Sequence, residues 1–244
     1  MSPKLKSEKT KLPWVFINMA MTADGKIATA NRVVHSFGSA RDQEHLYDLR
    51  ATADAVMCGA RTVEISQSIL GNGGEKFRRR RLKNGLAPFP LRVVVSGSGS
   101  IDPAAKIFEK RFSPVIVLTT GRITKATIKK LSARADEVKI LGEREINFRA
   151  AFHWLRTKWN VKRLLCEGGG ELNDALFRAD LVNEIHLTLC PKLFGGRDAP
   201  TIADGTGNSA LKNAVRFEIA SNKLVKDELF TVYLRQERVG TNRF

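Results

Sequence analysis

The sequence predicts an α/β fold built on a mixed, mainly parallel central sheet, and three observations carry that expectation. Short β-rich runs alternate with segments of helical spacing along most of the chain, the pattern of strands joined by crossover helices. Several of these runs are apolar on both faces, as strands covered on both sides must be. The last two runs, residues 215–220 and 229–234, are joined only by 221–228 and read as an antiparallel pair added to a parallel sheet.

The other strand candidates are residues 14–21, 55–58, 91–96, 114–120, 137–141, 161–166 and 184–190. Between the first two, Ser39-Ala40-Arg41-Asp42 has the form of an acidic capping box, and Leu46, Leu49 and Ala53 mark the buried face of the helix behind it. Asn147 is placed to cap a later helix whose stripe is Phe148, Phe152, Leu155 and Trp159. Residues 67–90 hold glycines and six basic residues with little periodicity, which reads as a long surface loop. Residues 191–213 form a Gly/Pro-rich connection. With no repeat and no linker, the chain reads as one domain over residues 13–235, with a basic tail at 1–12 and a short one at 236–244.

The most informative local feature is Val161 to Asp174, an apolar run stopped by Glu167, Gly168, Gly169 and Gly170 and followed by a helical segment at 171–180 with Leu172, Ala175, Leu176 and Ala179 on one stripe. A strand that turns through glycines into a helix lets backbone N–H groups approach a phosphate, and the helix dipole favours its charge. The spacing lacks the third glycine of the dinucleotide fingerprint, so a plain tight turn is the competing reading.

Composition narrows the classes. A chain of 244 residues, 43% hydrophobic and 27% charged, is long enough to bury a full core, and no apolar run approaches a bilayer span. Residues 1–11 carry four lysines without the apolar region of an export signal. Cys58, Cys166 and Cys190 each end an apolar run, an odd count that points to free thiols in a reducing cytoplasm. His35, His45, His153 and His186 show no metal-binding spacing, and no metal is expected. The net charge of +16 raises nucleic acid as a partner. Against it, the basic residues sit in the N-terminal tail, in the run from Arg78 to Arg81, and on outer helix faces expected at Arg122, Lys125, Lys129 and Lys130, with no nucleic-acid-binding motif beside them. The arginine run reads as a solvated surface or as an anion site.

Several blocks, in order, resemble the reductase domain of riboflavin biosynthesis. They are Asn18-Met19-Ala20-Met21-Thr22-Ala23-Asp24-Gly25-Lys26-Ile27-Ala28, the stretch from Leu49 to Val63, Glu167-Gly168-Gly169-Gly170, Ala179 to Glu184, and Pro191-Lys192-Leu193-Phe194-Gly195-Gly196. The resemblance covers roughly Pro13 to Arg235 and implies a dihydrofolate reductase-like three-layer fold in a stand-alone, homodimeric, cytoplasmic enzyme. It implies that NADPH reduces the ribosylamino group of a pyrimidine 5′-phosphate to ribitylamino, with hydride reaching C1′. The cofactor then carries the chemistry, so no acid, base or nucleophile cluster is required, and the residues name no catalytic group.

Position by position, the resemblance places Ala20 at the nicotinamide, Thr62 on the cofactor, and Gly168, Gly169, Gly170, Glu171 and Leu172 around the pyrophosphate. Arg61, Ser96 and Gly97 are candidates for the adenosine side. Arg50, Leu70 and Glu167 match substrate positions; a helix-end cation is the bland reading of Arg50, and a plain turn residue that of Asp24. The chain also departs from the family. The usual Asp-Asp-Pro-x-Leu-Thr-x-Arg run is Ser66-Gln67-Ser68-Ile69-Leu70-Gly71-Asn72-Gly73, and Ser96-Gly97 replaces Asp-Ser. With Gly73 in place of the basic residue, Arg50 is expected to be the main anion anchor, helped by Lys76 or the arginine run. Two alternatives stand beside this reading: a same-fold reductase of a pterin or folate, against whose folate form the first helix shows no obvious match to the buried ring-protonating carboxylate and leaves Asp42, Glu44 and Asp48 as candidates, and a basic nucleic-acid-binding protein.

Overall fold

The structure, a computed structural model, describes residues 12–32, 37–207 and 210–236. The expected tails lie outside the described residues except for Leu12 and Gln236. Nine strands form one sheet: β1 (Trp14–Thr22), β2 (Ala55–Gly59), β3 (Leu91–Val95), β4 (Val115–Thr119), β5 (Glu137–Ile140), β6 (Arg163–Cys166), β7 (Glu184–Cys190), β8 (Phe217–Val225) and β9 (Glu228–Arg235). The helices are α1 (Ala40–Arg50), α2 (Ala60–Ser66), α3 (Glu75–Lys83), α4 (Lys106–Glu109), α5 (Lys125–Ser132), α6 (Phe148–Lys158) and α7 (Gly170–Arg178).

The strand order is β5-β4-β3-β2-β6-β1-β7-β9-β8. Every pair from β5 to β7 is parallel, and β9 joins β7 and β8 antiparallel. Side-chain alternation in the parallel strands feeds two cores. Val15, Ile17, Met57, Val93, Ile116 and Leu118 face α6 and α7, which contribute Phe148, Phe152, Leu155, Leu172 and Leu176. Phe16, Val56, Cys58, Val94 and Val117 face the other way, toward Leu49, Val63, Ile107, Phe108 and Leu131 from α1, α2, α4 and α5. Helices on both faces of one sheet make the three layers.

The expected caps form. Ser39 accepts from the N–H groups of Arg41 and Asp42, and Asn147 from that of Ala150. The capping box is not reciprocal, because the Ser39 N–H donates to Glu228 instead of Asp42. Residues 67–90 are not a continuous loop, since α3 lies within them. Its inward face is Phe77, packed at a tilt against Tyr47, and Arg81, four residues on and wholly buried. The closing hairpin is also longer than expected, with β8 running to Val225 and a turn of only Lys226 and Asp227. No helix among the described residues is long and apolar enough to cross a membrane. The three cysteines are free and buried.

Candidate active site

In a parallel sheet the loops after the strands gather at the carboxyl edge, where α/β folds bind ligands. Here those loops enclose a cleft of about 710 Å³, within the usual range for a cofactor or small-molecule site. It runs from the N-terminus of α7 beside β6, past α2 after β2 and the turn after β3, to the loops after β4 and β5. Arg61, Thr62, Ser96, Gly97, Gly169, Gly170, Glu171 and Leu172, all assigned to the cofactor from the sequence, line it. Ala20 and Gly168 do not. Ala20 sits half-buried on β1, opposite Thr188 of β7.

Each glycine of the turn has a separate reason. Gly168 adopts φ +80°, and a side chain there would meet Met19 Sδ at 2.8 Å, a conformation that favours glycine. A Cβ on Gly170 would stand 2.5 Å from the Thr201 carbonyl oxygen. At Gly169 the nearest atom to a Cβ is Thr62 Oγ1, at 3.1 Å, so the missing side chain leaves open space in the cleft wall. Gly169 is the N-cap of α7 and offers no side-chain cap, so the first N–H groups of the helix stay available to an anion. Glu171, in that first turn, is neutralised by Arg61 at 3.0 Å. Glycines, a helix N-terminus and a polar rim therefore fit a dinucleotide.

The α1 face of the same edge is built differently. Arg50 donates from Nε and Nη2 to the two oxygens of Glu167, both at 2.6 Å, and from Nη1 to the Gly71 carbonyl at 2.7 Å. The side chains are 7% and 11% exposed. Burial opposes the charge on Arg50, while Glu167 raises its pKa, leaving it above the ordinary arginine value. The two predicted substrate residues thus meet, with Arg50 engaged by Glu167 rather than held free for an anion. Leu70, the third, is wholly buried in the α1-side core.

Nor does the basic run supply a helper. Arg78 and Arg79 pair with Glu75, Arg80 with Asp48, and Lys76 with Glu44. Arg81 donates to the carbonyls of Arg50, Ala53 and Ala87, and burial pulls its pKa down to about 10. Gly73 has φ +84°, and the Tyr47 ring stands where its side chain would begin, which excludes a basic residue in this loop geometry.

Of the three carboxylates on α1, Asp42 is the one set apart. Burial, then the neighbouring Glu228, hold its pKa above the ordinary carboxylate value against a lowering influence of Thr188. Asp42 Oδ1 and Asn18 Oδ1 are buried without a partner among the described residues. Close by, His45 lies 5.4 Å from the His186 ring, and burial followed by that neighbour lowers its pKa to about 4.

Two features of the site escaped the sequence reading. Asp24, read as a plain turn residue, accepts from Thr22 Oγ1 and from the backbone N–H groups of Phe194 and Gly195, so it pins the Pro191–Gly196 block to the end of β1. Arg122, expected on an outer helix face, precedes α5 and lines the cleft beside Gly97. Its signal was its place three residues after the end of β4.

The profile of the RibD C-terminal domain family matches residues 13–229. The chain belongs to this family. It is 34% identical over 193 residues to the 2,5-diamino-6-ribosylamino-4(3H)-pyrimidinone 5′-phosphate reductase of Archaeoglobus fulgidus, covering 79% of this chain and 87% of that one. To the enzyme of the same name from Methanothermobacter thermautotrophicus it is 29% identical, covering 91% and 97%. The fold matches a pyrimidine reductase-like protein of Corynebacterium diphtheriae with a TM-score of 0.80, at 20% identity and 92% coverage of both chains. The RibD-type sheet and its glycine turn thus frame the site, and the chain is an oxidoreductase of riboflavin biosynthesis.

Proposed function

We propose that this chain reduces the ribosylamino group of a pyrimidine ribosylamine 5′-phosphate to ribitylamino, with NADPH as the hydride donor. The observation that carries this reading is the cleft itself, open at Gly169 and at the α7 N-terminus, beside a second site built on Arg50 and Glu167. The pyrimidine 5′-phosphate reductases named above support the substrate class.

Bound NADPH would supply a hydride for C1′ of the substrate, and the ring oxygen released from C1′ takes up a proton. The chain's own residues bind and orient. The Gly169 and Gly170 N–H groups with Thr62 hold the pyrophosphate, Ser96, Gly97 and Arg61 take the adenosine side, and Ala20 borders the nicotinamide. Arg50 and Glu167 receive the substrate by exchanging part of their bond to each other for bonds to it: the guanidinium fork suits phosphate or sugar oxygens, and the carboxylate accepts from a pyrimidine amine. Leu70 supports that wall from behind. Residues 13–235 act as one catalytic unit. The buried free thiols suit a reducing cytoplasm, and a second copy would cover the edge strand β8, where Ile219 and Leu224 are 61% and 67% exposed.

One observation favours another heterocycle. Asp42, buried with an unpartnered Oδ1 and a raised pKa, has the character of a carboxyl group that protonates a ring, as the pterin or folate alternative requires. NADPH oxidation measured against ribosylamino-pyrimidine phosphates, their dephosphorylated forms, pterins and folates decides between them. The proposal expects turnover with the phosphorylated pyrimidine, and a Michaelis constant raised at least about tenfold in Arg50→Ala, the loss of one charge-assisted bond. Turnover of a pterin or folate alone would replace it.

A further inference from the structure

The far end of the cleft carries positive charge that nothing in the described protein neutralises. Arg61 is paired with Glu171 and Arg178 with Asp174. Arg122 and Arg144 also line the cleft, yet neither has an ion-pair partner among the described residues, and their acidic neighbour Glu145 pairs with neither. Three strand-end loops are tied together here. The Thr120 hydroxyl donates to the Gly97 carbonyl, and the Gly121 N–H donates to the Gly142 carbonyl at 2.9 Å, which brings the loop of Arg122 against that of Arg144. A Cβ on Gly97 would stand 2.7 Å from Arg122 Nη2, so the guanidinium lies over the glycine and beside the hydroxyl-rich turn Ser96–Ser100.

Position along the sheet fixes what such a group would meet. If the pyrophosphate rests on α7 beside β6, then β3 and β4 lie two and three strand steps away, about 10 and 14 Å. Pyrophosphate, adenosine and a ribose phosphate follow in that order along a phosphorylated dinucleotide. We propose that Arg122, supported by Arg144, binds the 2′-phosphate of NADPH and sets the selectivity of this chain for NADPH over NADH. Gly97 is part of the device: the absent side chain makes room for the guanidinium, whose fixed charge and planar donor fork match a phosphate monoester.

This inference rests on the cofactor reading above, and direct binding separates their failures. Calorimetric titration of NADPH, NADH, adenosine 2′,5′-bisphosphate and 5′-AMP is carried out on the wild type, Arg122→Gln, Arg144→Gln and Gly97→Ala. The wild type is expected to prefer NADPH over NADH and the bisphosphate over 5′-AMP. Arg122→Gln should weaken NADPH and the bisphosphate by about tenfold or more, leaving NADH and 5′-AMP within about twofold; Arg144→Gln should weaken the same two ligands less. Gly97→Ala, which displaces only the tip of a flexible side chain, should follow Arg122→Gln in direction. If Arg122→Gln keeps the wild-type preference, or loses all four ligands equally, the assignment of Arg122 is wrong while the cofactor site stands. A wild type that binds NADH as tightly as NADPH overturns both the assignment and the choice of NADPH, and one that binds neither overturns the dinucleotide reading as a whole.

Discussion

Arg61 and Glu171 meet at 3.0 Å on the rim of the cleft with 60% and 66% of their side chains exposed, whereas Arg50 and Glu167, at 2.6 Å on the α1 face, are 7% and 11% exposed. Both pairs come from the same end of the same sheet. In the first, water screens the charges and the pair contributes little; in the second, each charge depends on the other, since a lone buried charge is costly. The contrast extends to the surroundings. Along the cleft, glycines and a helix N-terminus leave donors open, so a dinucleotide meets groups already in place. On the α1 face Arg50 and Glu167 satisfy one another, and a substrate has to compete with a formed ion pair.

The largest effect should appear when the enclosed pair is broken. Arg50→Ala and Glu167→Ala are each expected to lower stability in urea by about 3–5 kcal/mol, because each leaves a buried charge without its counter-charge. The double variant should lose clearly less than the sum, with a coupling of about 1–3 kcal/mol. Glu171→Ala, on the rim, should leave the urea midpoint unchanged. Additivity at Arg50 and Glu167 would erase the distinction between the two regions.

The arginine run sharpens the same point within one helix. Arg81→Ala abandons the carbonyls of Arg50, Ala53 and Ala87 and should cost about 3 kcal/mol, since buried acceptors lose charge-assisted bonds. Arg79→Ala, at the surface, should not shift the thermal midpoint. Equal effects in thermal melts would mean that α3 is held by something other than Arg81.

A smaller effect belongs to pH. His45 titrates near 4 in the fold because burial and then His186 oppose its protonation, against about 6.5 in an unfolded chain. The folded state therefore binds fewer protons between those values, and stability rises with pH across the window and is lost on acidification through it. Allowing for its partial exposure, the contribution is on the order of 2 kcal/mol. Between pH 7 and pH 4 the wild type should lose that much more than His45→Phe in urea titrations; parallel curves would remove His45 from the account.

What the sequence disclosed and what it withheld follow from the same physics. The parallel strands were legible because burial on both faces writes continuous apolar runs, as in Val115–Thr119, and the glycine turn because Gly168 and Gly170 are forced by φ and by close approach. α3 was illegible because its buried face is Phe77 followed by Arg81, so an arginine occupies the position where a hydrophobic period would show. The short helices α2 and α4 offer too few residues for a period to be seen. Eight of the cofactor residues proposed from the sequence line one cleft. The sequence could not show that Arg50 and Glu167 bind each other, because that pair closes across 117 positions. Arg122 looked like a surface cation because its function depends on the loop in front of α5, not on the helix.

The most direct test of a preformed cofactor cleft is the calorimetric affinity for NADPH of the wild type and of Gly169→Val at one pH and ionic strength, with thermal melts alongside. Gly169 borders open cleft with only Thr62 Oγ1 nearby, so valine should fill the space the pyrophosphate needs. The account predicts NADPH binding to the wild type and a loss of at least about a hundredfold in the variant, with a thermal midpoint close to that of the wild type, since the phosphate forfeits two or more charge-assisted bonds. A folded Gly169→Val protein that binds NADPH as the wild type does would contradict it.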